Sequence, residues 1–403
     1  MQISDVLIPD FYTQTPFSYQ RRKTKEINIG GIYMGGNHPI RVQSMTNVST
    51  LNTEACVEQI IRLHQAGSEL IRVSTPSIAD AKNLIKIKER LIKRYTPVPL
   101  IADIHFQPKV AEIAAQYVEK IRINPGNYID KNKEKLTYTE TEYQQIIEQI
   151  ADNLYPLLQI CKQNGTVIRI GTNHGSLSQR IVNRYGNTPL GMAMSAMEFV
   201  TICNDFGFND LVLSMKASNT KVMIQSVRLL VAMLDEKKWN YPLHLGVTEA
   251  GNGEYGRVKS AVGIMPLLID GIGDTIRVSL TELPENEIPF ANILANIPFS
   301  KTTCDTFIKP NYNPYTYSKR KTYLAKKTPF IVSNYSQIEK EDVREEDVKS
   351  FYTLQINNKI DQLNTAKGFI FQVDENDNLL HWRKRICQLN DSCDMRPIVW
   401  KFI

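Results

Sequence analysis

At 403 residues the chain exceeds one ordinary domain, and its 42% hydrophobic and 22% charged content is that of a globular protein. No run of about 18 apolar residues is present to span a membrane, and residues 1–25 lack the apolar stretch of a signal peptide, so the cytoplasm is the expected location. A net charge of +6 permits an anionic ligand without marking a nucleic-acid binder.

Short apolar runs alternate with amphipathic stretches over the first 300 residues. The predicted strands are Ile40–Met45, Leu70–Thr75, Pro99–Ile104, Lys120–Pro125, Val167–Thr172, Asp210–Lys216, Pro242–Thr248 and Thr275–Thr281. Helices are predicted at Glu54–Ala66, Ala79–Arg94, Tyr143–Asn164, Pro189–Phe206, Thr220–Glu236, Arg257–Ile269 and Glu287–Ala295. Strict strand–helix alternation implies a parallel sheet, and eight units in about 260 residues suit a closed (β/α)8 TIM barrel better than a doubly wound sheet. Gly35-Gly36 is expected at a hairpin tip, and Gly271-Ile272-Gly273 in a helix-to-strand turn.

The pattern changes after Pro298. A polar, Lys- and Tyr-rich linker over 298–328 is expected to join the barrel (1–297) to a partial inserted α/β domain (329–403). There the expected elements are strand Pro329–Asn334, a helical stretch near Glu339–Leu354, strand Lys367–Val373 and helix Asn378–Leu389. A final apolar strand, Pro397–Ile403, predicts that the sequence is cut within that domain.

Chemistry enters through a repeated pattern. Ile40-Arg41-Val42, Ile71-Arg72-Val73, Ile121-Arg122-Ile123, Ile168-Arg169-Ile170 and Ile276-Arg277-Val278 each flank an arginine with branched residues. Strand alternation puts the branched residues on one face and the arginine on the other. With the branched face against the helices, the arginines point into the lumen, which is normally filled with Val, Ile and Leu. Arg41 alone also fits a pairing with a carboxylate near the strand's lower end. Lys216 joins the cations, and Asp103 with Glu249 are too few to neutralise them, so the lumen is expected to hold a polyanion; guanidinium groups suit phosphate. Asp103, His105, Asn124 and His174 lie at or near strand ends, where barrel sites form. Backbone N–H groups around Gly251, Gly253 and Gly256 are a weaker anion signal. Of the six cysteines, Cys56, Cys161 and Cys203 read as buried hydrophobes, while Cys304, Cys387 and Cys393 match no cluster spacing, so no metal site is expected in this chain.

The segments VQSMTN (42–47), ADIHF (102–106), KIRINPGN (120–127), IRIGTNHGSL (168–177), LGVTEAG (245–251) and GIGDTIRVSLT (271–281) resemble the 4-hydroxy-3-methylbut-2-enyl diphosphate synthase family over residues 20–297. The resemblance implies reductive ring-opening of 2-C-methyl-D-erythritol 2,4-cyclodiphosphate, with flavodoxin or ferredoxin as electron donor. It implies a [4Fe–4S] cluster whose Cys and Glu ligands lie beyond residue 403. It also implies that cluster domain and barrel meet either across a homodimer or within one subunit. Diphosphate binding would fall to Arg72, Arg122, Arg169, Asn173, Lys216, Arg277 and Ser279, proton donation to Glu249, and pocket lining to Asp103 and His105. A pterin-binding barrel synthase and a diphosphate-binding module without redox activity are the alternative readings.

Overall fold

Branched and basic residues alternate along each strand, so one face of the sheet packs on helices while the other encloses a charged lumen. The computed structural model describes residues 12–13, 19–94, 96–104, 107–129, 137–299 and 315, with the backbone of three strands farther on. It divides into two compact units, Met1–Tyr317 and Ser318–Ile403.

In the first unit the barrel strands are β3 (Arg41–Met45), β4 (Leu70–Ser74), β5 (Leu100–Asp103), β6 (Lys120–Ile123), β7 (Val167–Asn173), β8 (Leu211–Lys216), β9 (His244–Leu245) and β10 (Thr275–Ile276). Each pairs in parallel with its neighbour in the order β8-β7-β6-β5-β4-β3-β10-β9, and a parallel bridge between Leu213 and Leu243 closes the ring. Outside it lie α1 (Thr53–Gln65), α2 (Ile78–Lys93), α3 (Pro108–Ala114), α4 (Pro125–Tyr128), α5 (Glu140–Asn164), α6 (Gln179–Tyr185), α7 (Pro189–Asp205), α8 (Thr220–Glu236), α9 (Gly253–Ile269) and α10 (Glu287–Ala295). The TIM barrel expected from alternation is therefore present.

Local chemistry sets the helix starts. Ser77 with Asp80 and Thr139 with Glu142 form capping boxes at α2 and α5, and Thr188 caps α7 just before Pro189. Ile71, Val73, Ile121, Ile123, Ile168 and Ile170 are fully buried in one core with helix residues such as Ile60, Leu84 and Leu154.

A hairpin precedes the barrel, β1 (Ile27–Ile29) and β2 (Ile32–Met34), and its position corrects the expectation for Gly35-Gly36. Ile29 pairs with Ile32, so the two-residue tip is Gly30-Gly31, with φ of 58° and 93°. Positive φ at both positions is what a type I′ turn requires. Gly35 lies instead where a Cβ would stand 2.2 Å from the Lys25 carbonyl oxygen. Ile27, Ile29 and Met34 pack on Leu70, Ile101, Val167 and Val212, the first inward residues of four strands, and so floor the barrel with apolar groups.

Other differences are local. The helices at Pro108–Ala114 and Gln179–Tyr185 are additions to the predicted set, each too short at seven residues to show periodicity in the sequence. The seventh and eighth strands hold two-residue ladders where runs of seven were expected, because the chain leaves the sheet into the turns that carry Glu249 and Ser279. Gly271 (φ 79°) and Gly273 (φ 128°) form the predicted turn before β10.

The second unit contains β11 (Tyr352–Thr353), β12 (Phe369–Val373) and β13 (Ile398–Phe402), parallel in that order. Tyr352-Thr353 pairs with Phe369-Ile370, so the chain is extended where the helical stretch to Leu354 was expected; sheet pairing overrides the local pattern. The expected strand at 329–334 and helix at 378–389 lie outside the described residues.

Candidate functional site

The parity of each strand carries its basic residue inward. Arg122 and Arg169 are register partners on β6 and β7, and Asn173 is the partner of Lys216. Arg122 (4% exposed), Arg169 (1%) and Lys216 (6%) are buried, and Arg72 and Arg277 nearly so. Arg41 does not join them. Its Nη1 lies 2.5 Å from Glu69 Oε1 and its Nε donates to the Tyr33 carbonyl, at the barrel's lower rim.

Asp103 is shared: Arg72 Nε stands 3.4 Å from one carboxylate oxygen and Arg122 Nη1 3.3 Å from the other. Arg122 Nη2 also donates to the Gly171 carbonyl at 2.9 Å. The second carboxylate in the lumen is Glu287, from the first position of α10. It accepts from Arg277 Nε at 3.4 Å, Ser44 Oγ at 3.3 Å and the Leu280 N–H at 3.0 Å. Glu249, expected there, is exposed, with φ 54°, four residues beyond the end of β9. Among the described residues its carboxylate makes no hydrogen bond or ion pair, while its carbonyl accepts from Lys259 Nζ. The chain leaves the sheet after Leu245 and Glu249 itself takes a left-handed conformation, so strand parity does not govern its side chain.

Two inward basic residues were missed by the sequence reading. Lys120 and His244, both 0% exposed, occupy inward positions two residues before Arg122 and Gly246. The same parity that marks Arg122 in Lys120-Ile121-Arg122 could have found Lys120. His244, between Leu243 and Leu245 in the predicted strand Pro242–Thr248, follows the same parity and could have been found the same way.

The charges do not balance. Among the described residues Arg72, Lys120, Arg122, Arg169, Lys216 and Arg277 face two carboxylates, and Lys120, Arg169 and Lys216 have no carboxylate partner. Lys120 Nζ, Arg169 Nε and Nη1, Arg122 Nε and both His244 nitrogens are closed off from solvent without a hydrogen-bond partner. Burial, then repulsion from neighbouring arginines, pushes Lys120 and Lys216 well below the ordinary lysine range. Burial likewise lowers Arg72 to about 10, with Asp103 opposing and Arg277 and Arg122 reinforcing the shift. Burial and the repulsion of Lys216 hold His244 well below its usual value and therefore neutral.

The remaining candidates rim this ring. Asn124 Nδ2 donates to Ser176 Oγ at 2.8 Å, which ties β6 to the turn after β7. His174 Nε2 is 3.2 Å from the Asn187 carbonyl and belongs to that outer turn. Asn173 is half-buried at the end of β7, Ser279 is half-buried three residues beyond β10, and His105 lies outside the described residues. The glycine N–H groups before α9 are no open anion cradle, since Glu282 accepts from the Gly253 N–H at 2.8 Å and pairs in bidentate fashion with Arg257.

Nothing described fits an iron–sulfur cluster. Cys56, Cys161 and Cys203 are buried in the apolar core, where burial raises each thiol, that of Cys56 to about 12, and a thiol held protonated is no ligand. No three His, Cys, Asp or Glu side chains among the described residues gather to hold a metal ion. Cys304, Cys387 and Cys393 lie outside those residues. No helix among them is long and apolar enough to cross a membrane.

Residues 24–292 match the GcpE TIM-barrel domain family. The chain is 54% identical over 311 residues to the 4-hydroxy-3-methylbut-2-en-1-yl diphosphate synthase (flavodoxin) of Bacteroides thetaiotaomicron, covering 76% of this chain and 51% of that protein. It is 52% identical over 313 residues to the Leptospira interrogans protein of the same name, covering 76% and 47%. The chain thus spans about half the length of the curated relatives it matches. Among solved structures, Yersinia pestis dihydropteroate synthase is 13% identical with a TM-score of 0.41, covering 67% of this chain and 96% of that one; at that level the likeness carries no argument.

Proposed function

The chain belongs to the GcpE TIM-barrel family, and from that membership we propose that it supplies the substrate-binding barrel of a 4-hydroxy-3-methylbut-2-enyl diphosphate synthase. The reaction is the two-electron reductive opening of 2-C-methyl-D-erythritol 2,4-cyclodiphosphate to the linear diphosphate, with loss of water. The observation that carries the reading is the lumen: six buried or nearly buried cations around two carboxylates, with donors left unpaired.

Each phosphorus of the cyclic substrate carries one ionised oxygen. Breaking the ring's carbon–oxygen bond turns a diester oxygen into a terminal phosphate oxyanion, so negative charge grows on the group that Arg72, Arg122, Arg169, Lys216 and Arg277 would hold. Donors fixed where charge develops favour the bond-breaking step over simple binding. Asn173 and Ser279, at the upper rim, would complete the diphosphate contacts, with Asp103 orienting Arg72 and Arg122. Glu249, exposed beside the opening, is the proposed donor of the proton that leaves with water.

The described residues do not fit the [4Fe–4S] cluster that the family implies, and its ligands would lie outside them. Flavodoxin as electron donor, a cytoplasmic location and closure of the cluster domain within or between subunits belong to the same proposal. A pterin-binding synthase is disfavoured because the lumen is lined by arginines.

Calorimetric titration of this chain with the cyclodiphosphate tests the reading. Wild type should bind, and Arg122→Ala and Arg169→Ala should each lose at least tenfold in affinity, the scale of unpairing a desolvated charge. Unchanged affinity in both variants would sink it.

A further inference from the structure

Beneath the ring assigned to diphosphate lies a second set of donors that this assignment does not use. Lys120, at the start of β6, is the register partner of Ile101 and Val167, both packed on the apolar hairpin floor. It therefore sits a layer below Arg122. His244 is the register partner of Thr275, whose hydroxyl accepts from Gln43 Nε2 at 2.7 Å. Lys120 Nζ, both His244 nitrogens, Arg169 Nε and Nη1, and the Gln43 Oε1 acceptor are all closed off and unpartnered. Lys120 pairs with Val167, two residues before Arg169 on the adjacent strand, so Lys120 and Arg169 are diagonal neighbours on the inner face, and Leu243, next to His244, bridges Leu213 on the strand beside that of Arg169.

Charge makes the same point independently. With all six cations ionised, two carboxylates leave an excess of four positive charges, and a cyclic diphosphate dianion cancels two. Positive charge thus remains in the lumen, and buried charge without a counterpart is costly. Water would satisfy some donors but would cancel no charge.

We propose that Lys120, Arg169 and His244 form a second anion subsite below the diphosphate site, one that takes a small monovalent anion of the halide class. Ile29 and Met34 close the floor with apolar side chains, so nothing below would hydrogen-bond the outer oxygens of an oxyanion, which favours a monatomic ion. Arg169 links the two sites, with Nε and Nη1 left for the lower one. The inference rests on the upper lumen being an anion site, and the experiment separates the two.

The test uses crystals of the 403-residue chain soaked in sodium bromide with inorganic pyrophosphate, and records anomalous scattering from bromine. A bromide peak is expected within hydrogen-bond reach of Lys120 and Arg169, with pyrophosphate above it; Lys120→Met should lose the peak and keep the pyrophosphate. In solution, at fixed ionic strength and saturating pyrophosphate, the melting temperature should rise saturably with bromide against gluconate. Lys120→Met should abolish that rise, and His244→Phe provides the same readout should Lys120→Met fail to fold. No peak and no saturable rise in wild type would overturn the subsite and assign these donors to water. A lower peak without pyrophosphate above it would instead reject the diphosphate reading and leave the subsite standing.

Discussion

Gly171 makes room for Arg122: a Cβ built on it would stand 2.6 Å from Arg122 Nε, and its carbonyl accepts Arg122 Nη2 at 2.9 Å. Gly246 does the same across the barrel, where a Cβ would meet Lys216 Nζ at 3.1 Å and the Arg277 carbonyl at 2.8 Å. The barrel wall is thinned where its cations are placed. Neither glycine has a positive φ, so the requirement is space and not backbone freedom.

Gly171→Ala should therefore displace a buried guanidinium while leaving the strand intact. Overpacking of this kind costs about 1–3 kcal/mol of stability. Affinity for the cyclodiphosphate should fall at least tenfold, read by calorimetry beside a urea unfolding curve. Full affinity in Gly171→Ala would mean that Arg122 does not need its present position.

The unpaired cations predict a direction for stability against pH. Lys120 and Lys216 have folded-state values well below 10.5, so the folded protein binds fewer protons than the unfolded chain between those lowered values and 10.5. Their contribution is present above 10.5 and is lost as pH falls through the lowered folded values. Without an anion, thermal melts should show stability from this pair rising toward pH 10.5, and pyrophosphate should reduce the rise by holding Lys216 charged. Replacing both lysines by Met should flatten it. An identical slope in that double variant would reject the assignment.

Glu249→Gln keeps the size and backbone of a residue held at φ 54° but removes its proton. In the complete enzyme, substrate binding should stay within about twofold while kcat falls by two to four orders of magnitude, roughly the range for loss of a general acid. A near-normal kcat would move the donor elsewhere, with His105 the first alternative.

Anaerobic reconstitution of the 403-residue chain with iron and sulfide should give no cluster absorbance, while cyclodiphosphate binding persists. The three described cysteines are buried thiols held protonated in the barrel's core. Stoichiometric cluster incorporation would show that Cys304, Cys387 and Cys393 converge.

The sequence by itself determined the barrel and the faces of its strands. Alternation has a period of two whatever the tertiary context, so Ile-Arg-Ile at residues 121–123 and 168–170 commits Arg122 and Arg169 to the lumen once the branched residues meet the helices. Height along the barrel axis is a different matter, set by the stagger between strands. That stagger put Arg41 beside Glu69 at the rim, Lys120 beneath Arg122, and Asp103 between Arg72 and Arg122. The partner of Arg277 was equally out of reach of local reasoning. Glu287 arrives from a helix ten residues later, and only the return of α10 against β3 brings its carboxylate to the lumen in place of that of Glu249, which a left-handed turn leaves exposed. Parity is local and legible in the chain, whereas ion pairing depends on how distant elements close around one another.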